Sequence, residues 1–202
     1  SRNWCGGSTW TWHGRRGRAD SFGKRGPAVK DICPLEGLQP MDIFTIGHSN
    51  VEAERIIELL KQHRIDILVD VRSVPYSRHN PQFNRETFQH TLEKVGIRYI
   101  YAGDRLGGRP DDPTCYEGGQ VQYTLIMKKP WYQEGIDQLI GLANGHRIAL
   151  MCSEEDPLQC HRHKLITQTL LERGLSVWHI RGDGRLEQAY SDSPRSKQLS
   201  LF

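Results

Sequence analysis

Two cysteines, a histidine and an acidic residue lie close together in the second half of the chain. Cys152 and Glu154 follow directly after an apolar run, and the pair Cys160-His161 comes after a short polar stretch. A thiol, an imidazole and a carboxylate can serve as a nucleophile, as an acid or base, or as metal ligands. This segment therefore holds most of the candidate catalytic groups.

The elements around these groups place them at an edge of the fold. The apolar run 148–151 predicts a buried strand that ends at Cys152. Asp156 is a preferred N-cap and is followed by proline, so a helix is predicted over residues 158–171. The second cysteine, the histidine and Arg162 would lie in its opening turns, where free N–H groups favour an anion or a thiolate. Open parallel α/β sheets place their sites at such strand ends.

The two thiols have three open interpretations. Cys152 could be a nucleophile activated by the helix N-terminus, although Glu154 beside it would raise its pKa and could itself be the general acid or base. A zinc site of Cys152 and Cys160 with His161, or else His163, is the second, although the spacing matches no ordinary zinc knuckle. Buried structural cysteines are the third. Phosphatase and sulfurtransferase loops are excluded, because they need an arginine where this chain has Leu158.

The predicted second strand, residues 65–71, is apolar except for charged groups at its end. Asp70 and Arg72 lie on the same face, since side chains alternate along a strand. Charged groups among buried aliphatic side chains must pair with each other or take part in chemistry. Both interpretations stay open: a structural ion pair, or a proton carrier at Asp70 beside a phosphate-binding Arg72.

Loops after the predicted strands add hydroxyl groups, amides and further arginines, a set that suits an oxyanion such as phosphate. Gly107-Gly108 either lets the backbone approach a ligand or forms a flexible turn. The candidate catalytic residues are Asp70, Cys152, Glu154 and His161. The candidate substrate-binding residues are His48, Ser49, Arg72, Ser77, Arg78, Arg109, Cys160 and Arg162.

The hydrophobic periodicity alternates between strand and helix from residue 41 to residue 181. This order predicts an α/β fold, a single three-layer domain with a largely parallel sheet of about five strands. The predicted strands cover residues 43–46, 65–71, 98–101, 148–151 and 176–180. The predicted helices cover residues 51–63, 85–95, 121–129, 131–143 and 158–171, and residues 103–119 are predicted to be a loop.

Composition narrows the class of protein. The formal net charge of +3 is uneven, because residues 1–40 carry +4 and the remaining residues carry −1. Global charge therefore gives no argument for nucleic-acid binding. Five cysteines, an odd number, do not indicate a disulfide framework, and no apolar stretch is long enough to cross a bilayer. A cytoplasmic protein without a membrane partner is expected, with no metal or cofactor apart from the zinc alternative.

Residues 1–40 show no helical or strand period and are rich in Gly, Arg, Ser and Trp. Met41 comes directly before the first predicted strand. We expect Met41 to be the natural start, with residues 1–40 as a disordered leader or an upstream extension. The alternative is a basic arm that contacts nucleic acid.

Five ordered motifs between Met41 and Ile180 together resemble the domain of unknown function 488 family. The resemblance implies a compact α/β domain found in prokaryotes, and no established activity comes with it. The motifs are Thr45-Ile46-Gly47-His48-Ser49, Asp70-Val71-Arg72 with Pro75 and Ser77, Pro81-Gln82-Phe83-Asn84, Leu106-Gly107-Gly108-Arg109, and Cys152 through Cys160-His161-Arg162.

The last five residues resemble the pentapeptide by which bacterial DNA polymerases and repair proteins bind the replication sliding clamp. In that mode Leu201 and Phe202 would enter an apolar pocket, and Gln198 would be a polar anchor, with Leu199 between them. Residues 182–202 are expected to form a flexible tail that carries this peptide. The sliding clamp is therefore an expected partner.

These features favour an enzyme of DNA repair or DNA processing, a hydrolase or transferase that acts on a nucleotide or another phosphate-bearing substrate and is recruited by the clamp. One alternative is a non-catalytic adaptor, tethered to the clamp, that binds DNA or a nucleotide. The other is a small-molecule nucleotide enzyme with no role on DNA.

Overall fold

The computed structural model describes residues 41–192. The predicted leader and the clamp-like peptide 198–202 lie outside these residues. Within the described part of the chain, no helix combines the length and apolar composition needed to cross a membrane.

The central feature is a six-stranded sheet, accompanied by a separate two-stranded hairpin. The strands are β1 (Ile43–Gly47), β2 (Ile67–Asp70), β3 (Arg98–Tyr101), β4 (Tyr116–Glu117), β5 (Gln120–Val121), β6 (Ile148–Cys152), β7 (Val177–Ile180) and β8 (Leu186–Gln188). The sheet has the order β3-β2-β6-β1-β7-β8, and β4 and β5 form the hairpin. Neighbouring strands of the sheet are parallel except β7 and β8, which are antiparallel. The prediction of an α/β fold with a largely parallel sheet is confirmed.

Helices cover both faces of the sheet, so that the domain has three layers. Because side chains alternate along a strand, Phe44 packs with α1 and α2 on one face, while its neighbour Ile43 packs with α5 and α6 on the other. The helices are α1 (Ala53–Gln62), α2 (Arg85–Glu93), α3 (Gly103–Leu106), α4 (Tyr123–Ile126), α5 (Pro130–Ala143) and α6 (Gln168–Glu172), the last preceded by a π-helical segment, Arg162–Thr167.

The helix predicted over residues 158–171 is broken near its start. Asp156 does cap a turn, accepting a hydrogen bond from the Leu158 backbone N–H at 3.0 Å, but the turn is the short 3₁₀ helix Pro157–Gln159. Cys160 then adopts an extended conformation (φ −120°, ψ 147°) before the π-helical segment begins. The break turns Cys160 and His161 back toward the end of β6.

Three other segments differ from the sequence prediction. The predicted loop over residues 103–119 contains the helix α3 and the strand β4. The helix predicted over residues 121–129 is shorter, because Val121 pairs with Tyr116 in the hairpin and only α4 is helical. The ordered domain also continues past residue 181, because β8 pairs with β7 and Ala189 is buried. The antiparallel return of β8 covers the edge of β7.

Candidate active site at the carboxyl edge of the sheet

The carboxyl ends of three neighbouring strands meet at one edge. Gly47 at the end of β1 is in register with Cys152 at the end of β6, and Asp70 at the end of β2 is in register with Met151. The helix after β1 lies on one face and the helical segment after β6 lies on the other. Such a divergence is a topological switch point, where open α/β sheets leave a crevice for ligands.

A buried ion pair fixes Arg72 at this edge. Its Nη2 donates to Asp70 Oδ2 at 2.6 Å and to the Phe83 carbonyl oxygen at 2.7 Å, and its Nε donates to Asp70 Oδ1 at 3.0 Å. The Tyr99 hydroxyl donates to Asp70 Oδ2 at 2.6 Å. Asp70 is fully buried. These contacts make Asp70 a group that positions Arg72, which is the structural alternative left open by the sequence, rather than a proton carrier.

His48 holds the other side of the same guanidinium. Its Nδ1–H donates to the Ser49 carbonyl at 2.7 Å, which leaves Nε2 to accept from Arg72 Nη1 at 3.2 Å. Burial, with a smaller effect from the nearby charge of Arg72, lowers the pKa of His48 to about 4 against the opposite effect of the Ser49 hydrogen bond. A neutral His48 can therefore accept from Arg72 at neutral pH.

A cavity of about 280 Å³ opens in front of Arg72, and we call it the strand-edge cavity. This volume is near the lower end for small-molecule sites and suits a ligand of about one nucleotide rather than a duplex. Tyr76 contributes an aromatic side chain at its wall that is 52% exposed. Its other lining residues include His48, Ser49, Arg72, Ser77, Asn80 and Glu154.

The two thiols and His161 lie together beside this cavity, and we call these three residues the thiol cluster. His161 Nδ1 lies 3.6 Å from Cys152 Sγ and 3.7 Å from Cys160 Sγ. The Cys152 thiol donates to Glu154 Oε2 at 3.1 Å. Glu154 therefore connects the thiol cluster to the strand-edge cavity.

The two thiols differ in the direction of their pKa shifts. A hydrogen bond from the Cys152 thiol lowers the pKa of Cys160 to about 5, and His161 and Arg162 act in the same direction against burial. The same hydrogen bond, together with burial, raises the pKa of Cys152 well above its usual value. The interpretation of Cys152 as an activated nucleophile stays a prediction, and of the two thiols Cys160 has the pKa shift that favours a thiolate. Burial would raise the pKa of Glu154, but the hydrogen bond from Cys152 outweighs it and the pKa is lowered.

The other predicted arginines do not reach the strand-edge cavity. Arg162 is fully buried, and its guanidinium donates to the carbonyl oxygens of Glu154 and Glu155. It holds the segment after β6 in place from behind. Arg78 and Arg109 are exposed at the surface, and Arg109 meets the site only through its backbone N–H, which donates to Ser73 Oγ at 2.9 Å.

Sequence reasoning missed the aromatic members of the site. Tyr99 belongs to a different strand from Asp70, so that only the pairing of β2 with β3 brings them together. Tyr76 lies in the same loop as Ser77 and Arg78, which the sequence analysis did select. An aromatic residue among these polar side chains could have indicated a surface on which a ligand stacks. The sequence singled out Gly108 as part of a glycine pair, but not its role beside His161: a Cβ there would lie 2.7 Å from the His161 ring.

Comparisons with known proteins give one finding. No curated protein and no solved structure matches the chain. A family model described as "Domain of unknown function DUF488" matches residues 52–168, a range that includes Arg72 and the thiol cluster but not His48. Because this match spans more than half of the chain, the protein belongs to the DUF488 family.

Proposed function

We propose that the protein is a cytoplasmic enzyme of DNA repair or DNA processing that hydrolyses a phosphate-bearing nucleotide substrate and is recruited by the sliding clamp. One observation carries this proposal: Arg72, Glu154 and Tyr76 line the same cavity at the switch point of the sheet. A phosphate-binding group, an acid–base group and a stacking surface are the elements that hydrolysis of a nucleotide requires.

Arg72 is suited to bind the phosphate. Guanidinium groups match phosphate oxygens in geometry and charge. The ion pair with Asp70 and the contact with His48 fix the side chain before any ligand arrives, so that binding requires little reorganisation. Because Asp70 compensates much of its charge, we expect moderate affinity for a single phosphate.

Tyr76 is suited to bind the base. Its hydroxyl donates to Glu86 Oε1 at 2.7 Å, which orients a ring that is otherwise exposed. Stacking of a base on an aromatic ring contributes about 1–3 kcal/mol and is tolerant of sequence. Asn80 and Ser77 at the same wall can hydrogen-bond to a sugar or to a base edge.

Glu154 is the group that moves the proton. Its carboxylate takes a proton from a water molecule, and the water oxygen forms a bond to phosphorus. The bond from phosphorus to the leaving oxygen then breaks, and Glu154 passes the proton to that oxygen. The lowered pKa of Glu154 keeps the carboxylate ionised before the reaction, as this role requires.

Replacing Tyr76 by Ala should weaken binding of deoxynucleoside 5′-monophosphates about 5- to 100-fold, because the stacking contribution is lost. Isothermal titration calorimetry on the full chain measures the effect. Tyr190→Ala is the matched control, because Tyr190 is equally exposed at 52% and does not line the strand-edge cavity. Equal affinities in both variants would exclude this cavity as the nucleotide site.

The catalytic part is tested by Glu154→Gln on a phosphate ester of the best-binding nucleotide. We expect binding to be retained and turnover to fall about 100-fold or more. A wild-type chain that binds nucleotide without any turnover would instead favour the non-catalytic adaptor.

Recruitment rests on residues 198–202, which lie outside the described part of the chain. The double variant Leu201→Ala/Phe202→Ala should reduce capture by a purified bacterial clamp about 30-fold, the scale of an interface hot spot. Ser200→Ala leaves the proposed anchors intact and is the control. If the clamp captured the double variant as well as the wild type, or did not capture the wild type at all, recruitment by the clamp would be contradicted. The alternative of a nucleotide enzyme with no role on DNA would then be favoured.

A further inference from the structure

We infer that the thiol cluster binds a zinc ion through Cys152 Sγ, Cys160 Sγ and His161 Nδ1. These three atoms all lie within 4.8 Å of one another, although the residues come from the end of β6 and from the start of the following helical segment. Sulfur and imidazole ligands together favour zinc over calcium or magnesium, which prefer oxygen.

The size of the cluster fits tetrahedral zinc. With Zn–S bonds of about 2.3 Å and a Zn–N bond of about 2.05 Å, a tetrahedral angle places sulfur and nitrogen about 3.6 Å apart. The two observed distances from His161 Nδ1 to the sulfurs are 3.6 and 3.7 Å. Both sulfur–nitrogen separations therefore already match those that the ion requires, and the two sulfurs lie within 4.8 Å of each other.

His161 is also oriented as a ligating histidine should be. Its Nε2–H donates to the Val71 carbonyl oxygen at 2.9 Å, so that the lone pair of Nδ1 faces the two sulfurs. A hydrogen bond from the second ring nitrogen to a backbone carbonyl is the usual second-shell partner of a metal-bound histidine. Gly108 allows this ring position, because a Cβ there would come within 2.7 Å of the ring.

Neighbouring groups support ionised sulfur at this position. The Arg162 backbone N–H donates to Cys160 Sγ at 3.4 Å. The Arg162 guanidinium, which contacts the carbonyls of Glu154 and Glu155, adds a positive charge on the same loop. On zinc binding Cys152 would release to water the proton that it donates to Glu154, and two thiolates and a neutral imidazole would then compensate the charge of Zn²⁺ completely.

Three protein ligands leave a fourth position for water, the arrangement of catalytic rather than structural zinc. Glu154 Oε2 lies 3.1 Å from Cys152 Sγ, closer than the separation of about 3.6 Å expected for two ligands of one tetrahedral ion. Glu154 would therefore lie beside the metal rather than bind it, and it could accept a proton from a water in the fourth position. This chemical role rests on the proposed function, whereas zinc binding itself does not.

The test is the zinc content of the full chain purified after expression with added zinc, measured by mass spectrometry of the metal. We expect about one Zn²⁺ per chain, falling at least about tenfold in Cys160→Ser and in His161→Gln. Cys115→Ser is the matched control, since Cys115 is also a free, buried cysteine but lies elsewhere. The double variant Cys5→Ser/Cys33→Ser should likewise retain zinc.

Loss of zinc in a ligand variant could also result from unfolding, so a further variant keeps all three ligands and changes only the position of one. Gly108→Ala should weaken zinc affinity about 10- to 100-fold in a chelator competition, because the new methyl group displaces the His161 ring. A wild-type chain without zinc, or Cys160→Ser with unchanged zinc, overturns the inference. Zinc binding without nucleotide binding would support the metal site and contradict the proposed function. Nucleotide binding without zinc would support the proposed function and contradict the metal site.

Discussion

Replacing Asp70 by Asn is expected to lower the free energy of unfolding by about 3–5 kcal/mol, the usual cost of leaving one member of a buried ion pair uncompensated. Arg72 would keep its charge but lose the carboxylate that accepts from both Nε and Nη2. Its side chain is only 4% exposed, so that water would replace the lost partner only in part. Urea unfolding of the full chain, followed by circular dichroism, measures the change.

Two further variants separate the cost of the charge from other effects. Glu134→Gln removes a carboxylate from the exposed ion pair with Arg105 and should cost less than about 1 kcal/mol. Tyr99→Phe removes only one hydrogen bond to Asp70 and should cost about 1.5–3 kcal/mol. If Asp70→Asn were no more harmful than Glu134→Gln, Asp70 would not be needed to hold Arg72.

The sequence was sufficient to predict the ion pair as one of two alternatives. Asp70 and Arg72 lie two positions apart on an apolar strand, and the period of a strand places them on one face. Their remaining partners could not be predicted, because Tyr99 and the Phe83 carbonyl come from separate elements. Only tertiary pairing brings the Tyr99 hydroxyl to Asp70 and the Phe83 carbonyl oxygen to Arg72.

The broken helix shows where local patterns stop being informative. Apolar spacing and the Asp156 cap both favour a helix from residue 158, and the cap does form. The π-helical segment depends instead on side-chain contacts that the spacing of apolar residues does not predict. In it the Thr167 hydroxyl donates to the Arg162 carbonyl at 2.7 Å, and the His163 ring meets His179 at 3.1 Å. The second partner, His179, comes from β7.

The same break explains why the spacing of the cysteines gave no metal signature. Ordinary zinc motifs place two ligands on one tight turn, whereas here a strand end and a helix start supply them. The distance between Cys152 and Cys160 is set by the 3₁₀ turn Pro157–Gln159 and by Arg162, which holds the intervening backbone. Sequence could indicate the ligand types, but the geometry required the folded loop.

That loop is also the basis of the second large effect, which we expect from Gly47→Ala. A Cβ at Gly47 would lie 1.8 Å from the Glu154 carbonyl oxygen and 2.5 Å from its carbonyl carbon, so that backbone must move. We expect a loss of about 3 kcal/mol in the free energy of unfolding, at the upper end for overpacking. Displacing Glu154 by about 1 Å should also reduce turnover about 100-fold.

Gly141→Ala provides the comparison, because the new methyl group in α5 would meet nothing within 4 Å. Alanine is the better helix former, so this control should raise the free energy of unfolding by about 0.5–1 kcal/mol. Urea unfolding measures the free energy of unfolding of both variants, and steady-state kinetics measures their turnover. If Gly47→Ala kept wild-type stability and turnover, the backbone after β6 could move away from the new methyl group at little cost. The end of β1 would then not hold Glu154 in place.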